Sequence, residues 1–104
     1  MYYTYIIQCL DSSYYTGITT DIDRRLKEHK TKNSKCAKYT YTHDIDKLVA
    51  LWISPNRSTA SSLEYYIKRL NKKAKTKLIE TDDFHLLPKL DQSIYQRITD
   101  YSKE

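Results

Sequence analysis

The stretch Met1-Tyr2-Tyr3-Thr4-Tyr5-Ile6-Ile7-Gln8-Cys9 runs through Leu10 and Asp11-Ser12-Ser13 into Tyr14-Tyr15-Thr16-Gly17-Ile18, and its reading decides the fold. Tyr3, Tyr5, Ile7 and Cys9 alternate with Tyr2, Thr4, Ile6 and Gln8. A period of two made from aromatic and β-branched residues predicts a strand. Asp11-Ser12-Ser13 is turn chemistry, so Tyr14 to Ile18 reads as a second, antiparallel strand completing a hairpin. The tyrosine-bearing strands are therefore neighbours.

Working outward, Thr20 is placed to cap a helix running to about Lys30, with Asp21 and Asp23 in its first turn where the helix dipole favours carboxylates. Ile22, Arg25, Leu26 and His29 fall at i, i+3, i+4 and i+7, so the two charged residues share the apolar stripe and point towards the sheet. From Thr31 to Asp44 no period is sustained. Lys32, Lys35 and Lys38 interleave there with Tyr39, Tyr41 and His43, which fits either a loop touching phosphates and bases or a solvated charged loop. Leu48 to Ile53 predicts a buried central strand, closed by Pro55 and Asn56.

Ser58 or Thr59 opens a second helix with the apolar stripe Leu63, Ile67 and Leu70, Glu64 beside that stripe, and Asn71 at its end. A third helix over Lys72 to Ile79 carries Lys72, Lys73, Lys75 and Lys77, a surface either suited to a phosphate backbone or simply solvated. Leu87, Leu90, Ile94, Ile98 and Tyr101 have helical spacing and predict a packed closing helix. The expected architecture is α+β, a small three-stranded antiparallel sheet flanked by helices. Residues 1–80 form the main domain and residues 81–104 a helical extension packed on it.

The chain has 104 residues, enough for one compact domain. Eighteen Lys and Arg against 13 Asp and Glu give a net charge of +5, which favours polyanionic partners and puts nucleic acid first. Apolar runs are too short for a membrane helix, and the start lacks a basic region followed by a long apolar one. A soluble, intracellular protein is expected. In that setting Cys9 and Cys36 stay reduced, and neither has metal-ligand spacing. Gly17 is the chain's single glycine, and it reads first as a turn residue where the backbone leaves the second strand.

The tyrosine triplets and their followers resemble the GIY-YIG nuclease superfamily. Its Gly-Ile-Tyr and Tyr-Ile-Gly strands have counterparts in Tyr3-Thr4-Tyr5 and Tyr14-Tyr15-Thr16-Gly17, which keep the tyrosines but not the first glycine or the isoleucines. Arg25 and His29 follow within Asp23-Arg24-Arg25-Leu26-Lys27-Glu28-His29 at the family's spacing, and Glu64, in Ala60 to Leu70, matches its metal-binding glutamate. Ala37-Lys38-Tyr39-Thr40 is similar to a segment of small single-domain bacterial-type members, of the UPF0213 kind.

The resemblance implies a GIY-YIG endonuclease-like fold and a nuclease that hydrolyses DNA phosphodiester bonds with a single Mg²⁺ or Mn²⁺ ion on Glu64, RNA remaining open as substrate. It implies Tyr5 as the water-activating residue, His29 relaying or supporting its proton, Tyr15 positioning water or phosphate, and Arg25 clamping the scissile phosphate. The two tyrosines can exchange roles. Some relatives carry a lysine three residues after the second tyrosine, where this chain has Ile18, so Arg25 has more to do. Arg24, Lys35, Lys38, Tyr39, Lys68, Lys72 and Lys73 are the expected nucleic-acid contacts. A targeting protein is a possible partner. Plainer roles exist for each residue: Arg25 with Glu64, or Glu64 with Lys68, as structural ion pairs, and His29 as a helix cap. At the level of function, the competitors are a binding module of the same fold without catalysis and a protein-interaction domain.

Overall fold

A computed structural model describes residues 1–32 and 38–99, with Thr40 and Tyr41 by backbone alone. Lys35, Cys36, Ala37 and Tyr101 lie outside the described residues, as does the side chain of Tyr41. The described elements are β1 (Tyr2–Cys9), β2 (Tyr14–Thr19), α1 (Ile22–Thr31), α2 (Lys38–Thr42), β3 (Ile45–Ser54), α3 (Arg57–Lys68), α4 (Lys72–Thr81) and β4 (Gln96–Arg97), with 3-10 turns at Phe84–Leu86 and Gln92–Ile94. The fold is α+β. Its antiparallel sheet has the order β2-β1-β3-β4.

The alternation in β1 sorts its side chains between two layers. Ile6 joins Ala50 and Trp52 of β3 against Leu63 and Ile67 of α3, Leu78 of α4, and Phe84, Leu87 and Tyr95 of the tail. Tyr5, Ile7 and Leu51 face the other way, towards Ile22 and Leu26 of α1. Trp52, Ile6, Leu63 and Ile67 are fully buried, and each such side chain contributes roughly 1.5–3 kcal/mol. β2 is an edge strand, so residues from both layers can meet around it.

Capping differs in detail from expectation. Asp21, not Thr20, caps α1, because its carboxylate accepts the Arg24 amide at 3.1 Å. Asn56 caps α3 in a reciprocal box with Thr59, which starts the helix before Ser58, and Asn71 caps α4 instead of ending α3. Within the stretch read as a loop, Lys38–Thr42 forms a short helix.

The closing helix is not found in the described tail. Asp83 and Asp91 accept the amides of His85 and Ser93 and close two 3-10 turns, and Pro88 between them cannot donate a helical hydrogen bond. The chain then adds β4 as a fourth strand beside β3, so the sheet is larger than the three strands expected. Arg97 anchors it, donating to the Ile79 carbonyl at 2.9 Å and stacking 5.1 Å from the Trp52 ring centre. Trp52 Nε1 in turn donates to Asp82 at 2.8 Å.

Gly17 is also not a turn residue. It lies within β2, paired with Tyr5, and its φ is not in the left-handed region. Among the described residues, no helix is long and apolar enough to cross a membrane.

Candidate active site

The register of the hairpin puts Gly17 opposite Tyr5 and Tyr15 opposite Ile7, so both tyrosine rings lie on the α1 face. One turn apart on α1, Arg25 and His29 project onto the same face. The Tyr5 hydroxyl and His29 Nε2 share a hydrogen bond of 2.9 Å, and Arg25 Nε donates to that hydroxyl at 3.4 Å. The His29 ring meets Tyr5 and Tyr15 edge-on, at centroid distances of 5.9 and 5.5 Å. Four of the five expected residues therefore form one contacting group.

Gly17 makes that group possible. A Cβ at this position would stand 2.5 Å from the Tyr5 hydroxyl and 2.7 Å from its Cζ, distances at which something must move. The single glycine is thus a space requirement of the buried phenol, and not a demand for unusual backbone angles.

Electrostatics follow burial. Tyr5 is 1% exposed, and desolvation pushes its hydroxyl up to about 12, against the lowering effect of the Arg25 hydrogen bond. It is a neutral phenol at physiological pH. Burial, with the Arg25 charge in second place, pulls His29 down to about 4. His29 is then a neutral imidazole whose Nε2 can accept the Tyr5 proton. For Arg25 burial acts to lower the pKa, but the hydrogen bonds to Glu28 and Tyr5 outweigh it and the guanidinium stays charged.

The depressed His29 value has a consequence for stability. An imidazole that titrates near 6.5 when unfolded and near 4 when folded stabilises the fold fully above 6.5, and that contribution is lost as pH falls through 4. The loss should approach about 3 kcal/mol. Urea unfolding from pH 7 to pH 4 should show it, and His29→Gln should flatten this part of the profile. An unchanged slope in the variant would place the acid sensitivity elsewhere.

Glu64 comes from α3, which packs on the other layer and against β2. Its side chain is 24% exposed, its charge acts on Tyr5, and its carboxylate pairs with Lys68 at 3.2 Å. The Lys68 ammonium also stands 5.8 Å from the centre of the Tyr15 ring. The expected Glu64–Lys68 pair is present. Arg25 pairs with Glu28 at 2.9 Å, a residue that sequence reading passed over although it lies at i+3 from Arg25 and i+4 from Arg24. Those spacings are the signal that could have found it.

No group of three or more His, Cys, Asp or Glu suited to a metal is present among the described residues. A divalent ion held by one carboxylate, waters and substrate phosphate fits Glu64, since Mg²⁺ commonly uses few protein ligands. Of the expected nucleic-acid contacts, Tyr39 is stacked between Tyr15, at 5.9 Å, and His43, at 4.0 Å, so its ring is engaged within the protein. Lys68, Lys72, Lys73 and Lys38 are exposed, with Lys72 over Tyr14. Arg24 is exposed beside Glu28, and Lys35 lies outside the described residues.

Comparison with known proteins identifies a family and a shared fold. Residues 1–78 match the family model of the GIY-YIG catalytic domain. The UPF0213 protein BH0048 of Halalkalibacterium halodurans is 44% identical over 78 residues, covering 75% of this chain and 81% of that protein. The UPF0213 protein CPE1444 of Clostridium perfringens is 43% identical over 82 residues, 78% of this chain and 85% of that one. A solution NMR structure of BH0048 from Bacillus halodurans superposes with a TM-score of 0.51 at 38% identity, covering 88% of this chain and 98% of that one.

Proposed function

The chain belongs to the GIY-YIG catalytic-domain family, and on that premise we propose that it is a divalent-metal-dependent nuclease hydrolysing DNA phosphodiester bonds. The observation that carries this reading is the Tyr5 hydroxyl, held between neutral His29 and charged Arg25 beside the second tyrosine and within the field of Glu64. Hydrolysis needs an attacking water, a group to take its proton, positive charge at the phosphate and stabilisation of the leaving oxygen.

The two tyrosines divide the work by depth. Tyr15 is half-buried and Tyr5 is almost fully buried, so Tyr15 is the phenol that meets the attacking water, giving its own hydroxyl proton to solvent as it takes the water's. Tyr5 is a positioning residue, which fixes the Arg25 and His29 side chains through its hydroxyl. Arg25, oriented by Glu28 and Tyr5, binds the scissile phosphate with a fork that a lysine lacks. A Mg²⁺ or Mn²⁺ ion on Glu64 would supply charge neutralisation at the phosphate and the leaving 3′-oxygen.

Purified protein should cleave at least one of single-stranded, duplex or branched DNA with Mg²⁺ or Mn²⁺, and chelation should stop it. Arg25→Lys should slow the reaction about tenfold to a hundredfold. Absence of cleavage with either metal would overturn the reading. The pairing of Glu64 with Lys68 favours one alternative, a nucleic-acid-binding module without catalysis. Its signature is salt-sensitive DNA binding that is indifferent to divalent ions, with no nicking.

A further inference from the structure

Arg57, Ser61, Glu64 and Lys68 occupy positions i, i+4, i+7 and i+11 of α3, spacings that return to nearly the same side of a helix. At the Arg57 end, a cleft of about 400 Å³ opens between the end of β2, α1 and the start of α3. Arg24, Arg25 and Arg57 line it with a single carboxylate, Glu28. Glu28 is shared by Arg24, at 3.6 Å, and Arg25, at 2.9 Å. Arg57 is exposed and belongs to none of the ion pairs among the described residues. The lining therefore carries an excess of two positive charges, in side chains whose planar donor forks match phosphate oxygens.

Arg25 belongs to both places. Its Nε holds Tyr5 in the candidate active site, and its side chain forms a wall of this cleft. Seven residues of helix, about 10 Å, separate Arg57 from Glu64. Neighbouring phosphates of one strand can span that distance.

We infer that the cleft is a second phosphate subsite, in which Arg57 and Arg24 bind a phosphate of the same strand beside the scissile one, with Arg25 between the two. This rests on the nuclease reading. It specifies the substrate further: a polynucleotide strand with backbone charge flanking the cut, running along α3 from Arg57 past Glu64 towards Lys68. A lone phosphodiester without that neighbour lacks half of the contacts.

The test reads binding, not cleavage, and uses the full chain in a metal-chelating buffer with a fluorescently labelled DNA oligonucleotide. Anisotropy titrations over a salt series should give a slope of log affinity against log salt that is smaller by about 1 in Arg57→Ala, with Arg57→Lys restoring most of it. Oligonucleotides with one neutral methylphosphonate linkage then locate the contact. Wild type should weaken when the linkage next to the cut is neutral, and Arg57→Ala should be insensitive to that change. An unaltered slope, equal sensitivity in the two proteins, or no binding by wild type even at low salt would overturn the inference. Cleavage separates the two readings: a protein that cuts normally with an unaltered slope keeps the nuclease activity and loses the subsite. One that shows the slope change but never cuts keeps the subsite and loses the nuclease.

Discussion

Glu64→Gln should reduce metal-dependent cleavage about a thousandfold while leaving the protein folded. The carboxylate is the hard oxygen ligand that the proposed reaction calls for, and the carboxylate lining the neighbouring cleft, Glu28, is already held by Arg24 and Arg25. Glutamine keeps the volume and can still accept from Lys68, but it brings no negative charge to a cation. The stability cost is small, because a partly exposed i, i+4 pair contributes roughly 0.3–0.5 kcal/mol. Initial cleavage rates across a Mn²⁺ titration, together with a thermal melt, measure both. A variant that melts and cuts like wild type would remove Glu64 from the chemistry, and one rescued only at high metal would show weakened ion binding.

Tyr15→Phe and Tyr5→Phe should separate in a way that burial dictates. If Tyr15 takes the proton of the attacking water, its loss should cost about a hundredfold or more in the rate of the chemical step, with little change in stability. Tyr5→Phe should cost less in rate. Its main effect should fall on the groups it holds, since His29 Nε2 loses its 2.9 Å partner and Arg25 Nε its 3.4 Å acceptor. A buried polar group left without its partner costs about 1–3 kcal/mol. Single-turnover rates and urea unfolding distinguish the two roles. A larger rate loss in Tyr5→Phe than in Tyr15→Phe would return the proton-accepting role to the inner tyrosine, with His29 as its acceptor.

The local parts of this architecture were legible in the residues. Alternation from Tyr2 to Cys9 and the turn chemistry of Asp11 to Ser13 specify a hairpin because strand period and turn preference act over a few residues. The i, i+3, i+4, i+7 spacing of Ile22, Arg25, Leu26 and His29 brought Arg25 and His29 to the sheet, and the structure brings them to Tyr5. The tail shows where such patterns mislead. Leu87, Leu90, Ile94 and Ile98 fit a helical stripe, but Pro88 and the aspartate-capped turns divide the segment, and packing on Trp52 rewards the irregular path.

What the sequence by itself determined is the hairpin, the helix that follows it and the set of chemical groups: two tyrosines, an arginine, a histidine and a glutamate. Only the tertiary structure decided how deeply each is buried and which of them touch. Cross-strand register set Gly17 against the Tyr5 hydroxyl, where the missing Cβ leaves room for a phenol. Layer packing buried Tyr5 and left Tyr15 at the rim. The physical reason is range. Periodicity and capping are written in neighbours along the chain, whereas burial, and with it the shifted proton affinities of Tyr5 and His29, depends on residues that meet only once the sheet and helices have closed.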